Sequence, residues 1–103
     1  MDAQQPPTPS PNVAGRYVNE NGEITLTDVE DGKGFQYRIQ LGVPRACAGV
    51  DYTGQATFSS PTAAQGVGDD TFVFEASGLK AEPDISHIGM SCAQVLDLLF
   101  VKR

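Results

Sequence analysis

The sequence has no tryptophan, a single histidine and only two cysteines, and its seven basic residues are scattered among thirteen acidic ones. Scattered bases exclude a phosphate backbone as partner, because nucleic-acid affinity rests on clustered Lys and Arg; no nucleic acid is expected. Long apolar runs are missing too. The longest, Leu98 to Val101, falls far short of the roughly 18 residues a membrane helix needs. No lysine-led apolar leader precedes the domain, so membrane attachment is expected only through an N-terminal lipid absent from this chain. One His and two separated Cys offer no ligand spacing for zinc, and neither a metal nor a cofactor is expected. A catalytic cysteine would need a low-pKa setting, and His87 has no second general base near it in sequence. Without Trp there is little of the aromatic platform that a glycoside hydrolase lays under a sugar. The chain is therefore not read as an enzyme.

What is present is a 103-residue chain of net charge −6 with 11 Gly and 7 Pro, enough for one small domain. Domains of this size bury a modest fraction of their surface and often use a staple. Residues 1–12 hold four of the prolines (Pro6, Pro7, Pro9, Pro11) and no aliphatic side chain larger than alanine apart from Met1. Proline fixes its own φ and removes a donor, so this stretch is expected to be a disordered, polyproline-like tether. Met1 directly before Asp2 reads as an initiator on a trimmed precursor, whose missing piece would be a signal peptide with or without a lipid-bearing cysteine; the alternative is a natural tail. Residues 13–103 form a single β domain.

From Val13 onward the hydrophobic period is two. Asn21-Gly22 between Tyr17-Val18 and Ile24-Thr25-Leu26 predicts a hairpin through a type I′ turn. Asp31-Gly32-Lys33-Gly34 marks a second turn, followed by Phe35, Tyr37, Ile39 and Leu41 alternating with Gln36, Arg38 and Gln40. Tyr52, Ala56 and Phe58 repeat the pattern, with Gly54 marking a bulge or a close backbone approach. Phe72 and Phe74 continue it. The last strand carries Leu96, Leu98 and Phe100 on one face and Val95, Leu99 and Val101 on the other; residues 91–99 can also be read as a short helix, but a run of Val, Leu and Phe favours the sheet. Six strands predict an all-β fold, a small antiparallel meander closing into a barrel or sandwich.

Cys47 and Cys92 are even in number, lie beside strands and form no CxxC, which favours a disulfide over two buried free thiols. The connection from Gly78 to Ser91 is the longest and carries Lys80, Glu82, Asp84, Ile85, His87, Ile88 and Met90. Long loops in compact domains are usually functional or disordered, so this one is the expected binding surface; the alternatives are an ordinary surface histidine, or isoleucines that plug one end of the barrel. Acids gather at Asp28, Glu30 and Asp31 and at Asp69-Asp70, but the first set lacks the distal bidentate Glu of an EF-hand, and Asp-Gly is already demanded by the turn.

Gly15-Arg16-Tyr17, then Gly22-Glu23-Ile24-Thr25-Leu26, a Gly-led aromatic strand, Cys47 shortly before Tyr52-Thr53-Gly54-Gln55-Ala56, and Cys92 before Leu96-Asp97-Leu98 together resemble small bacterial periplasmic β-barrel proteins and lipoproteins, some of them similar to lysozyme inhibitors. The resemblance implies a periplasmic or cell-envelope location. Lysozyme-inhibitor families present a loop to the cationic enzyme's cleft, often with a Ser-Gly element; Ser77-Gly78 matches it but lacks the tyrosine one residue beyond the glycine found in one such family. The expected function is a non-catalytic envelope module, in lipoprotein or secreted form, that binds a protein or cell-wall component. The binding residues expected are Ser77, Gly78, Lys80, Ile85, His87 and Ile88. The alternatives are an inhibitor of a cationic hydrolase such as lysozyme, towards which the acidic charge would steer it, and a small enzyme or hydrophobic-ligand carrier.

Overall fold

The computed structural model describes residues 13–30 and 32–103. The expected tether, residues 1–12, lies outside the described residues. Eight strands follow in chain order: β1 Gly15–Val18, β2 Gly22–Glu30, β3 Gly34–Leu41, β4 Val50–Ser60, β5 Ala63–Gln65, β6 Thr71–Glu75, β7 Gly78–Glu82 and β8 Leu99–Lys102. Each pairs antiparallel with its sequence neighbour, and β8 returns to β1 through Tyr17↔Lys102 and Val18↔Val101, closing a barrel. The all-β meander is as expected, and it is a barrel rather than a sandwich.

Period-two alternation explains the interior. Ile24 and Leu26 on β2, Phe35, Tyr37, Ile39 and Leu41 on β3, and Phe72 on β6 point inward, while Gln36, Arg38 and Val73 point out. Phe35 is the aromatic centre, edge-on to Phe58, Phe72 and Phe74 with ring centroids 5.4, 5.6 and 5.8 Å away. A barrel of eight strands has room inside only for such side chains or one small ligand, and here the side chains take it.

Two strands are absent from the sequence reading. β5 is Ala-Ala-Gln, with little β propensity. β7 lies inside the expected long loop: Leu79 and Ala81 are buried and Lys80 and Glu82 exposed, the same alternation with a smaller side chain. The connection that remains, residues 83–98, holds two short helices, α1 Ile85–Ile88 and α2 Met90–Val95. The strand expected from Val95 therefore starts only at Leu99, and the helical alternative for this segment is the one adopted as far as Val95. Asp84 caps α1 by accepting the Ser86 N–H, and Gly89 joins the helices at φ 88°, a conformation that disfavours any other residue.

The first hairpin forms, but not through a type I′ turn. Neither Asn21 nor Gly22 has positive φ; instead the Asn19 Oδ1 accepts the N–H groups of Asn21 and Gly22, an Asx-type turn. Gly22 is required for another reason: a Cβ there would collide with the Gln40 carbonyl oxygen on β3.

Because strands alternate in direction, the β1–β2, β3–β4, β5–β6 and β7–β8 connections share one end of the barrel, here the helical end. The β2–β3, β4–β5 and β6–β7 turns lie at the other. At the helical end Cys47, in a 3-10 turn Arg45–Cys47, is bonded to Cys92 on α2, and both are fully buried. The expected disulfide is present. Asn21 makes a second tie, donating to the Val43 carbonyl and accepting the Asp97 N–H.

Candidate functional site

The most concentrated set of ionisable and polar side chains lies under α1 at the helical end, centred on Asp70, which has no exposed surface. Its position follows from the sheet: residues 70, 72 and 74 share one face at the mouth of β6, so the same alternation that buries Phe72 buries Asp70. A carboxylate without solvent must be satisfied by donors. The Tyr37 hydroxyl donates to Oδ2 at 2.6 Å, the Tyr52 hydroxyl reaches both oxygens at 3.1 Å, and the Asp84 N–H donates to Oδ1 at 2.6 Å. The His87 Nδ1 lies 3.1 Å from Oδ1, and with Asp70 ionised this contact requires the imidazole proton to sit on Nδ1. Strands β3 and β4, the β5–β6 connection and α1 thus meet on one carboxylate.

Backbone glycines make room for this cluster. A Cβ on either Gly54 or Gly66 would strike the Tyr37 phenol, so the ring passes through a slot that two glycines keep open. Gly54 is therefore a close approach rather than a bulge. The Tyr37 oxygen also accepts the Val67 N–H at 2.9 Å, and the Tyr52 ring lies against His87 with centroids 4.8 Å apart. Burial, first, and then the Asp70 charge and hydrogen bonds push both phenols above the ordinary tyrosine range. Asp84 is held below the usual carboxylate range by the backbone N–H groups of Ser86 and Asp69 that it accepts.

An Asp–His pair can orient an imidazole as a general base. Here no hydroxyl or thiol among the described residues hydrogen-bonds to His87, both cysteines are taken up by the disulfide, and both phenols resist ionisation. Among the described residues no group of three or more His, Cys, Asp or Glu is placed to hold a metal ion.

The six binding residues expected from sequence do not form one surface. Ile85, His87 and Ile88 share α1, but Ile85 is exposed while Ile88 is buried in the core, and His87 is turned inward onto Asp70. Lys80 is on the barrel wall, opposite Val73 and Leu99. Ser77 and Gly78 are at the opposite end, beside Val13 and Tyr17. A loop running from Gly78 to Ser91 is thus corrected to a strand followed by a helical cap.

What sequence reading missed is Asp70 with Tyr37 and Tyr52, taken there as a turn acid and two core aromatics. The signal was the in-phase spacing of Asp70 with Phe72 and Phe74. A second unforeseen feature is the placing of exposed apolar side chains. Of the seven large ones among the described residues, Val43 (56% exposed), Val67 (41%), Ile85 (49%), Met90 (59%) and Val95 (49%) all belong to helical-end connections; only Val73 and Val101 stand on the wall. No family model, curated protein or solved structure matches the chain.

Proposed function

We propose that this domain is a non-catalytic binding module of the cell envelope, periplasmic or lipid-anchored, that recognises a protein or a cell-wall component through the helical end of its barrel. The observation that carries the reading is the gathering of five exposed apolar side chains on loops that a disulfide and a buried carboxylate hold in place. Apolar side chains fixed in an exposed position lower solubility unless something covers them, and their pre-organisation reduces the entropy lost on binding. The engagement of Asp70, His87, Tyr37 and both cysteines in internal contacts weighs against catalysis, and the filled interior weighs against a carrier. A disulfide is compatible with an oxidising compartment.

Inhibition of a cationic hydrolase is the second reading, favoured by the charge of −6, which would accelerate encounter with a basic enzyme. Two measurements on the oxidised chain test both: co-sedimentation with purified cell-wall sacculi, and binding to lysozyme, each with sacculus lysis followed in parallel. Saturable binding with no lysis by the chain alone is the expected result. Slowing of lysozyme in proportion to its occupancy supports the second reading. Release of soluble wall fragments by the chain itself overturns the non-catalytic reading, and failure to bind either target overturns the envelope one.

A further inference from the structure

Two of the exposed apolar residues of the helical end, Val43 and Val95, line a groove of about 310 Å³ together with Pro44, Asn21 and Glu20. Val43 and Val95 come from connections far apart in sequence, brought together because Asn21 bonds both the Val43 carbonyl and the Asp97 N–H. The floor is aliphatic and the rim carries a carboxylate, since Glu20 is exposed and forms no ion pair with a described residue. The connections of the helical end as a whole carry Asp69, Asp84 and Asp97 against one exposed cation, Arg45.

This combination selects among occupants. An anionic bilayer is repelled by the acidic rim, and a second copy of the chain would bring like charges together. A basic protein satisfies both features, because lysine and arginine lay an aliphatic stem on apolar surface while keeping the charged head at its edge. Resting on the binding-module reading, we infer that the groove seats a lysine or arginine side chain of a basic partner protein, its stem on Val43, Pro44 and Val95 and its charge on Glu20.

The test uses the full oxidised chain and three synthetic peptides of equal length: one alternating leucine with lysine, one alternating leucine with glutamate, and one of lysine and serine. Backbone and methyl NMR titrations locate binding, and neutral phosphatidylcholine vesicles serve as a fourth probe. The leucine–lysine peptide is expected to bind most tightly and to perturb residues 20–21, 43–44 and 95. Val95→Ser is expected to weaken it about tenfold and Glu20→Gln about two- to fivefold, with the melting temperature unchanged. Replacing the peptide's lysines with norleucine should abolish the difference between the parent chain and the Glu20→Gln variant. Equal binding of the glutamate peptide, or of the lysine–serine peptide, overturns the inference, as does vesicle binding through the same residues or failure of every probe to bind. Perturbations confined to the barrel wall overturn the groove while leaving a binding module standing, and that reading falls separately if the chain lyses sacculi or ignores both envelope targets.

Discussion

Asp70 illustrates how one residue can be costly alone and stabilising in company. Burying a carboxylate without donors would cost several kcal/mol, so its two hydroxyls, its backbone N–H and the imidazole are conditions for burial rather than additions to it. Removing one of them should be felt at the others. Tyr37→Phe takes a donor from Asp70 and an acceptor from the Val67 N–H, and is expected to lower unfolding free energy by about 1 to 3 kcal/mol in a urea titration. The same burial sets an alkaline limit. All three tyrosines, Tyr17, Tyr37 and Tyr52, are raised above the ordinary value of 10.0, chiefly by burial. A phenol whose folded pKa exceeds its unfolded one contributes stability that is fully present below the unfolded value and lost as pH rises towards the folded one. Stability should therefore hold from neutrality to about pH 10 and fall above it, with tyrosinate absorbance appearing in a single step together with loss of near-ultraviolet circular dichroism. Gradual tyrosinate absorbance with the fold intact would contradict this.

Among the elements, the strands with large side chains were legible and those with small ones were not. β3 announces itself through Phe35, Tyr37, Ile39 and Leu41, whereas β7 buries only Leu79 and Ala81 and hides behind its glycine and proline neighbours. The last segment misled for a related reason: Val95, Leu96, Leu98, Leu99 and Phe100 are β formers by composition, but the disulfide partner Cys92 and the turn at Gly89 fix the first part as helix. The cluster at Asp70 was readable only in part, since spacing shows that it faces inward but not which hydroxyls from distant strands await it. Within α1 the two isoleucines now have opposite roles. Ile88→Ala is expected to cost about 2 to 5 kcal/mol because Ile88 packs into the core, while Ile85→Ala should stay within about 0.5 kcal/mol. Paired denaturation curves decide it, and equal losses would show that Ile85 is also a plug. For the cap as a whole, Cys47→Ala with Cys92→Ala opens a 45-residue loop and should lower stability by about 4 kcal/mol. Hydrogen exchange should then accelerate first in residues 85–95; uniform acceleration throughout the barrel would show that the bond does not act locally.

As a whole molecule, the barrel is a chain of local pairings closed by one distant seam. β3–β4 and β2–β3 have long registers, but β8 holds β7 through Leu79↔Phe100 and Lys80↔Leu99 and β1 through two further pairs. β8 also supplies Phe100, which is fully buried. Deleting residues 99–103 would expose both the β1 and β7 edges and vacate the space Phe100 fills. The truncated chain is expected to lose its cooperative melting transition and to aggregate. A truncated chain that stays monomeric and melts cooperatively would show that seven strands suffice.

That seam also imposes a calendar on the molecule. During synthesis the meander can assemble hairpin by hairpin, yet β1 must wait for a strand more than eighty residues later before its outer edge is covered, and Cys47 waits for Cys92. Until the last strand is made, the nascent chain is open along one side and unlocked at its cap, a condition in which it is most in need of protection. The barrel becomes a barrel, and its helical end a fixed surface, only in the final step.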